Sequence, residues 1–324
     1  MSGPAGLAPL RATAGAPRAH LEELLHAVRA ELRARDEDPS GAWIEETAAE
    51  LAGGGKVGWY LDPPERGGLL FYARRGPALY AHLHAAGGLA PARRLVAELF
   101  ERLPPDATSL DLGFTGLAVG DEHLLVAELA RRPGSTVIAR VALDRDLAAS
   151  DAQLASEPPG RLERVPVDAV TLDALAELDR VAFEGSIDAL LVGEEPGANR
   201  RALEAILAGR LGRFLDEAST ALVALEPTRL VGAVLCAERS SRRAVIVALM
   251  VEPASRRRGL GRFLLGWGLR ALWALGYESA RLWVSLENVP ARELYRRFGF
   301  REVLPATIYR WGRPASVAQR QDAA

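Results

Sequence analysis

The chain has 324 residues, 49% hydrophobic and 25% charged, a balance typical of soluble globular proteins. Its formal net charge is −2, from 40 basic and 42 acidic residues, which argues against a strongly basic nucleic-acid binder. The single cysteine, Cys236, excludes an internal disulfide framework and a Cys-rich metal site, and a length of this order suggests two domains at ~100–200 residues each.

Residues 1–17 are rich in Gly, Ala and Pro and are expected to be a disordered tail, with no sustained apolar core of a secretory signal. Residues 20–35 have helical spacing, with Leu21, Leu24, Leu25, Val28 and Leu32 on one face. A second helix is expected over 42–51, then strands at 57–61, 69–74 and 78–86. A helix follows at 91–103, with Pro91 in its first turn. The half closes with a strand at 108–114, a helix at 119–131 and a β-branched strand at 136–143. A polar run with Pro158, Pro159 and Gly160 near its end is expected to link two domains over 148–160.

The same order of elements then returns. A short strand at 162–165, a helix at 171–183, an acidic loop over 184–197 and a helix at 199–215 precede strands at 220–226, 230–238 and 244–251. A helix at 261–275, a strand at 280–286, a helix at 291–298 and two short strands at 300–303 and 308–311 finish the chain. Gly134 and Gly299, and the strand ends Ala86 and Val251, fall at one offset, so an internal repeat of domain size is the economical reading.

Chemistry concentrates between Ala244 and Phe300. A buried strand runs into Arg256, Arg257, Arg258, Gly259, Leu260, Gly261 and Arg262, and then into an apolar helix. The first N–H groups of a helix have no internal partner, and the helix dipole adds partial positive charge there. Glycines let the backbone approach an anion closely, so this loop reads as a phosphate cradle. After the next strand come Asn288, Pro290, Ala291, Tyr295, Gly299 and Phe300, with Ala291, Leu294, Tyr295 and Phe298 on one helical face.

Other chemistries find less support. Lys56 is the only lysine and Val57 follows it, so there is no GK[ST] phosphate loop. All five histidines (His20, His26, His82, His84 and His123) lie in the first half. His82 and His84 share a strand face but show no carboxylate or cysteine partner, so no metal is expected. No apolar run reaches the ~20 residues of a membrane span. Neither a membrane nor a nucleic-acid partner is expected, and the lone thiol fits a reducing, cytoplasmic setting.

These residues resemble the GNAT (GCN5-related N-acetyltransferase) family. Its loop pattern Q/R-x-x-G-x-G/A is matched from Arg256 to Gly261, and its N-x-x-A-x-x-x-Y signature by Asn288, Ala291 and Tyr295. The resemblance implies an α/β fold of the α+β mixed-sheet kind, with two GNAT-like acyl-CoA N-acyltransferase domains in tandem. The expected division is a degenerate GNAT-like domain over 18–147, an acetyltransferase domain over 161–315 and a disordered tail at 316–324. The first half is degenerate because 87–91 reads Gly-Gly-Leu-Ala-Pro where the loop motif should be, and no Asn-x-x-Ala-x-x-x-Tyr follows. The tandem layout is similar to that of the mycothiol synthase family.

The resemblance further implies acetyl-CoA as donor substrate, without a metal. Pantetheine would pair with the backbone of Leu249, Met250 and Val251. Arg257 to Arg262 would hold the phosphates, Arg256 opens the motif, and Asn288 would contact the pantetheine arm. Tyr295 would protonate the departing thiolate, a transfer uphill by roughly 2 kcal/mol before local tuning. The family's two glutamate-base positions fall at Val245 and within Val284–Ser285–Leu286, so both lack a carboxylate. Glu238, at the end of the third strand, is the substitute base, and a water chain to backbone carbonyls is the other option. Glu184, Asp188, Glu194 and Glu195 in the acidic loop would favour a cationic acceptor, a small molecule or a peptide. The expected reaction is acetyl transfer to a primary amine by direct attack in a ternary complex, in a monomer or homodimer. Alternatives are a non-catalytic acyl-CoA-binding regulatory module and transfer of a longer acyl group.

Overall fold

The computed structural model describes residues 10–34, 43–61, 68–154, 157–192 and 197–314. In chain order the elements are β1 (Leu10–Ala12), α1 (Arg18–Ala34), α2 (Trp43–Ala52), β2 (Val57–Leu61), β3 (Gly68–Arg75), β4 (Ala78–His84), α3 (Leu89–Glu101), β5 (Ser109–Thr115), α4 (Val119–Leu129) and β6 (Ser135–Asp146). They continue as β7 (Leu162–Val165), α5 (Leu172–Phe183), α6 (Ala198–Leu207), β8 (Thr220–Leu225), β9 (Thr228–Ser240), β10 (Arg243–Val251), α7 (Leu260–Ala274), β11 (Ser279–Ser285), α8 (Val289–Arg297) and β12 (Arg301–Gly312). The chain divides into two compact units. One comprises Met1–Ile138 with Thr307–Ala324, and the other Ala139–Ala306.

In the first unit β1 to β4 pair antiparallel in sequence, β5 runs parallel to β4, and the end of β12 pairs antiparallel with β5 from Tyr309↔Leu112 to Gly312↔Ser109. Side chains alternate across this sheet as the two-residue strand period requires. Trp59, Leu61, Leu70, Leu83 and Leu112 join one core with Leu95, Leu99 and Leu125 of α3 and α4. Tyr60, Leu69 and Phe71 join another with Leu21, Leu24, Leu25 and Val28 of α1 and Leu51 of α2. The β4–β5 ladder stays paired along its whole length, from Ala78↔Ser109 to His84↔Thr115.

The second unit repeats this plan. β7, β8, β9 and β10 pair antiparallel in sequence, β11 runs parallel to β10, and the Arg140–Asp146 part of β6 pairs antiparallel with β11. Val234 and Cys236 of β9 face the α7 core with Phe263, Leu264 and Leu269. Ala233 and Leu235 face the α5–α6 core with Leu175, Leu178 and Leu203. Burial pushes the Cys236 thiol up to about 12, so it is an inert core residue.

Here the parallel ladder is short. β10 and β11 pair only from Arg243↔Ser279 to Ile246↔Leu282, although both strands continue. A register shift between Ile246 and Ala248 bulges β10 at the same point, and such a bulge bends its strand. Beyond it the two strands part.

Three expectations need correction. Leu10–Ala12 forms a strand on β2, so residues 10–17 are not a disordered tail; residues 1–9 and 315–324, which include the expected tail 316–324, lie outside the described residues. The 148–160 stretch is not simply a linker, because a 3₁₀ turn at Ala149–Gln153 places Asp151 at 1% exposure, ion-paired to Arg145. The helix over 199–215 stops at Leu207, because Gly209 and Gly212 take positive φ and turn the chain.

Candidate functional site

The parting of β10 and β11 opens a cleft of about 1140 Å³ in the second unit. On the side facing β11, Leu249 to Val251 have no strand partner, while their other edge is paired with Gly232 to Val234 of β9. An extended ligand can therefore meet open backbone donors and acceptors there.

The loop after β10 is built rigidly. Glu252 accepts a hydrogen bond from Ser255 Oγ at 2.8 Å and pairs with Arg229. Arg256 donates to the carbonyl of Ala182 at the end of α5 and, at 3.4 Å, to that of Val251, so its guanidinium fastens the loop to two elements. Arg257 has φ 65°, in the left-handed region where a non-glycine residue is uncommon. Gly259 follows at φ 86° and is the N-cap of α7 without a side-chain capping bond. The first helical bond runs from Phe263 N–H to Gly259 O, so the amides of Leu260, Gly261 and Arg262 have no intrahelical acceptor. All three residues line the cleft. At Gly261 a Cβ would stand 3.4 Å from Leu294 of α8, so glycine keeps this approach open.

The opposite wall is the start of α8. Asn288 caps it, its Oδ1 accepting from Ala291 N–H at 3.3 Å. Its Nδ2 donates at 2.9 Å to Oδ2 of Asp188, and Ser285 Oγ donates to Oδ1 of the same carboxylate. Asp188 comes from the 3₁₀ turn Ile187–Leu191 after α5 and is 8% exposed. Two turns into α8, Tyr295 is buried, packs edge-on against Phe300 at 5.9 Å and faces the cleft. Its phenol is pushed above the ordinary tyrosine range by burial first and by the Asp188 charge second, while Arg140 opposes the shift.

The structure thus brings Leu249, Val251, Arg256, Arg257, Gly259, Leu260, Gly261, Arg262, Asn288 and Tyr295 to one cleft. Met250 is fully buried with its side chain in the α5–α6 core, so only its backbone is available there. Arg258 is exposed and is not among the cleft-lining residues. Glu238 does not join them. It pairs with Ala244, at the end of β10 remote from the opening, and lies outside the cleft. Its carboxylate accepts from Tyr277 Oη and Arg213, both at 2.6 Å, and these bonds, Tyr277 first, hold it below the usual carboxylate range.

Three residues of this region carried no individual assignment in the sequence. Asp188 sits in the acidic loop already noted; Glu194 and Glu195 of that loop lie outside the described residues. Arg140 and Arg145 belong to β6, before the expected boundary, and no local signal ties them to a cleft some 150 residues further on.

In the first unit His82 and His84 meet on the Thr115 hydroxyl, at 2.9 and 3.1 Å. Burial lowers the His84 pKa, favouring the neutral ring. Among the described residues no three His, Cys, Asp or Glu side chains are grouped to hold a metal, and no helix is long and apolar enough to cross a membrane.

Residues 175–300 match the family model of the acetyltransferase (GNAT) family. The mycothiol acetyltransferase of Clavibacter michiganensis subsp. michiganensis is 41% identical over 68 residues, and that of Gordonia bronchialis 34% identical over 91 residues. These matches cover 21% and 28% of this chain and only 22% and 29% of the relatives. A GCN5-related N-acetyltransferase from Sphaerobacter thermophilus superposes with a TM-score of 0.62 at 18% identity, over 95% of this chain and 98% of that one. A tandem GNAT protein from the clavulanic acid biosynthesis pathway does so with 0.59 at 16% identity, over 95% and 100%. The chain therefore has the mixed α/β fold of tandem GNAT proteins.

Proposed function

We propose that the second unit is an acetyl-CoA-dependent N-acetyltransferase that moves the acetyl group to a primary amine by direct attack in a ternary complex. The observation that carries this reading is the union of the strand opening with the α7 N-terminus, whose unsatisfied amides lie beside the unpaired edge of Leu249 to Val251. The diphosphate of acetyl-CoA would rest on the amides of Leu260 to Arg262, with Arg257 and Arg262 adding charge-assisted bonds. The pantetheine arm would extend β10 as an added strand.

In the reaction the amine, once deprotonated, forms a C–N bond with the thioester carbonyl carbon. The C–S bond breaks, the thiolate takes the Tyr295 phenol proton, and solvent reprotonates the phenolate. The second proton lost from nitrogen passes to water. Burial makes the phenol a weaker acid, but a thiolate leaving inside the same cleft is also desolvated and correspondingly more basic. Asn288 acts here by positioning, since both ends of its amide are engaged by the chain itself.

The test is release of CoA thiol with a panel of primary amines. Gly259→Glu puts a carboxylate and a strained backbone into the cradle and is expected to weaken acetyl-CoA binding at least tenfold. Tight acetyl-CoA binding with no turnover on any amine would favour a non-catalytic acyl-CoA-binding module, and failure to bind acetyl-CoA would remove both readings.

A further inference from the structure

The acidic loop noted in the sequence brings charge to the cleft, and the structure singles out one of its carboxylates. Among the described residues three carboxylates line the cleft: Glu184, Asp188 and Glu287. Glu184 and Glu287 are exposed, and Glu184 lies 3.6 Å from Arg180. Asp188 alone of the three is buried. Each of its oxygens accepts one hydrogen bond, and both donors, Ser285 and Asn288, are neutral. A carboxylate has about four acceptor sites, so two are unused among the described residues. A buried charge held only by neutral donors gains most from an incoming cation. The Tyr295 phenol feels the Asp188 charge, and Arg140 acts on that phenol in the opposite sense. Phe183, Ile187 and Leu249 supply apolar wall to the same cleft.

We propose that Asp188 is the seat for the acceptor's protonated amine, so that the cleft selects a cationic nitrogen on an apolar stem over a hydroxyl. This deepens the acetyl-transfer reading and rests on it. The ammonium sits on the free acceptor sites of the carboxylate, beside the phenol of Tyr295. Ser285 and Asn288 hold the carboxylate in place, and they also fasten the loop after α5 to the ends of β11 and α8.

A purely structural tether would need the two hydrogen bonds but not the charge, and Asp188→Asn separates the two roles. Its amide oxygen can accept from Asn288 and its amide nitrogen can donate to Ser285 Oγ, so the loop stays tied while the charge is gone. The probes are 2-phenylethylamine and 2-phenylethanol, titrated calorimetrically into the full chain with and without bound CoA. The wild type is expected to bind the amine at least tenfold more tightly than the alcohol. In Asp188→Asn the ratio falls to near one, with affinity for the alcohol unchanged. Ser285→Ala, which keeps the charge, retains the preference. A wild type without amine preference, a preference that survives in Asp188→Asn, or no amine binding at all overturns the proposal. Absence of heat on adding CoA would overturn the acetyl-transfer reading separately, because the amine-to-alcohol ratio is also read without CoA.

Discussion

At the scale of single residues, Tyr295 carries the sharpest expectation. Removing its proton with Tyr295→Phe should lower kcat by about 10²–10⁴-fold with little change in acetyl-CoA affinity. Because its pKa is raised, the phenol keeps its proton through neutral pH. Its donor role should persist at least to the ordinary tyrosine value near 10, and a rate profile limited by phenol ionisation below that would contradict the assignment. The same shift affects stability. Above pH ~10 the unfolded phenol ionises before the folded one, so stability contributed by the neutral phenol is lost as pH rises, and Tyr295→Phe removes that share of alkaline unfolding. Glu238→Gln should leave turnover within about twofold, since its partners are Arg213 and Tyr277 outside the cleft and an exposed ion pair contributes little. A loss of kcat by two orders of magnitude would restore it as a base.

At the scale of elements, much was legible. Local spacing placed β2 at 57–61 without error and most other elements within two residues of their ends. The loop from Arg256 to Gly261 and the cap at Asn288 were readable because helix starts are written in nearby residues. Three features were not. The short β10–β11 ladder against the full β4–β5 ladder depends on parallel register, which tertiary packing sets. The bond from Ser285 to Asp188 spans 97 residues, beyond any local pattern. The final strand was expected as two pieces, because Pro305 and Ala306 interrupt its β-branched pattern, yet it runs unbroken. The repeat offset did mark real geometry: Gly134 and Gly299 both take φ above 80° just before the last strand of each half. At Gly134 a Cβ would stand 2.0 Å from the Gly312 carbonyl oxygen. Gly134→Ala should therefore cost more than the ~1 kcal/mol of an ordinary glycine replacement, read as a lowered Tm.

At the scale of the whole molecule, the division into units cuts across the linear order. Residues from Thr307 onward belong to the first unit, where Tyr309 is fully buried in the α3–α4 core. Arg310 forks onto Asp111 at 2.5 Å, and Arg313 donates to the carbonyls of Ala107 and Pro104. Ending the chain after Ala306 should destabilise the first unit by at least the ~3–5 kcal/mol of losing one large buried aromatic. Acetyl-CoA affinity, which the proposed function assigns to the second unit, should stay within about threefold. Limited proteolysis and calorimetry on the same sample would report both, and intact protection of residues 78–115 in the shortened chain would contradict this division.

The ownership of β12 also bears on how the protein is made. Ribosomes release chains from the N-terminus, and early domains commonly fold before later ones emerge. Here the first 138 residues leave the exit tunnel with the β5 flank bare, and the segment that covers it, from Tyr309 to Gly312, is translated only after the second unit. The nascent first unit must therefore wait, incomplete, until the second unit has been synthesised, so loss of the Thr307–Gly312 segment harms the front of this protein more than its back.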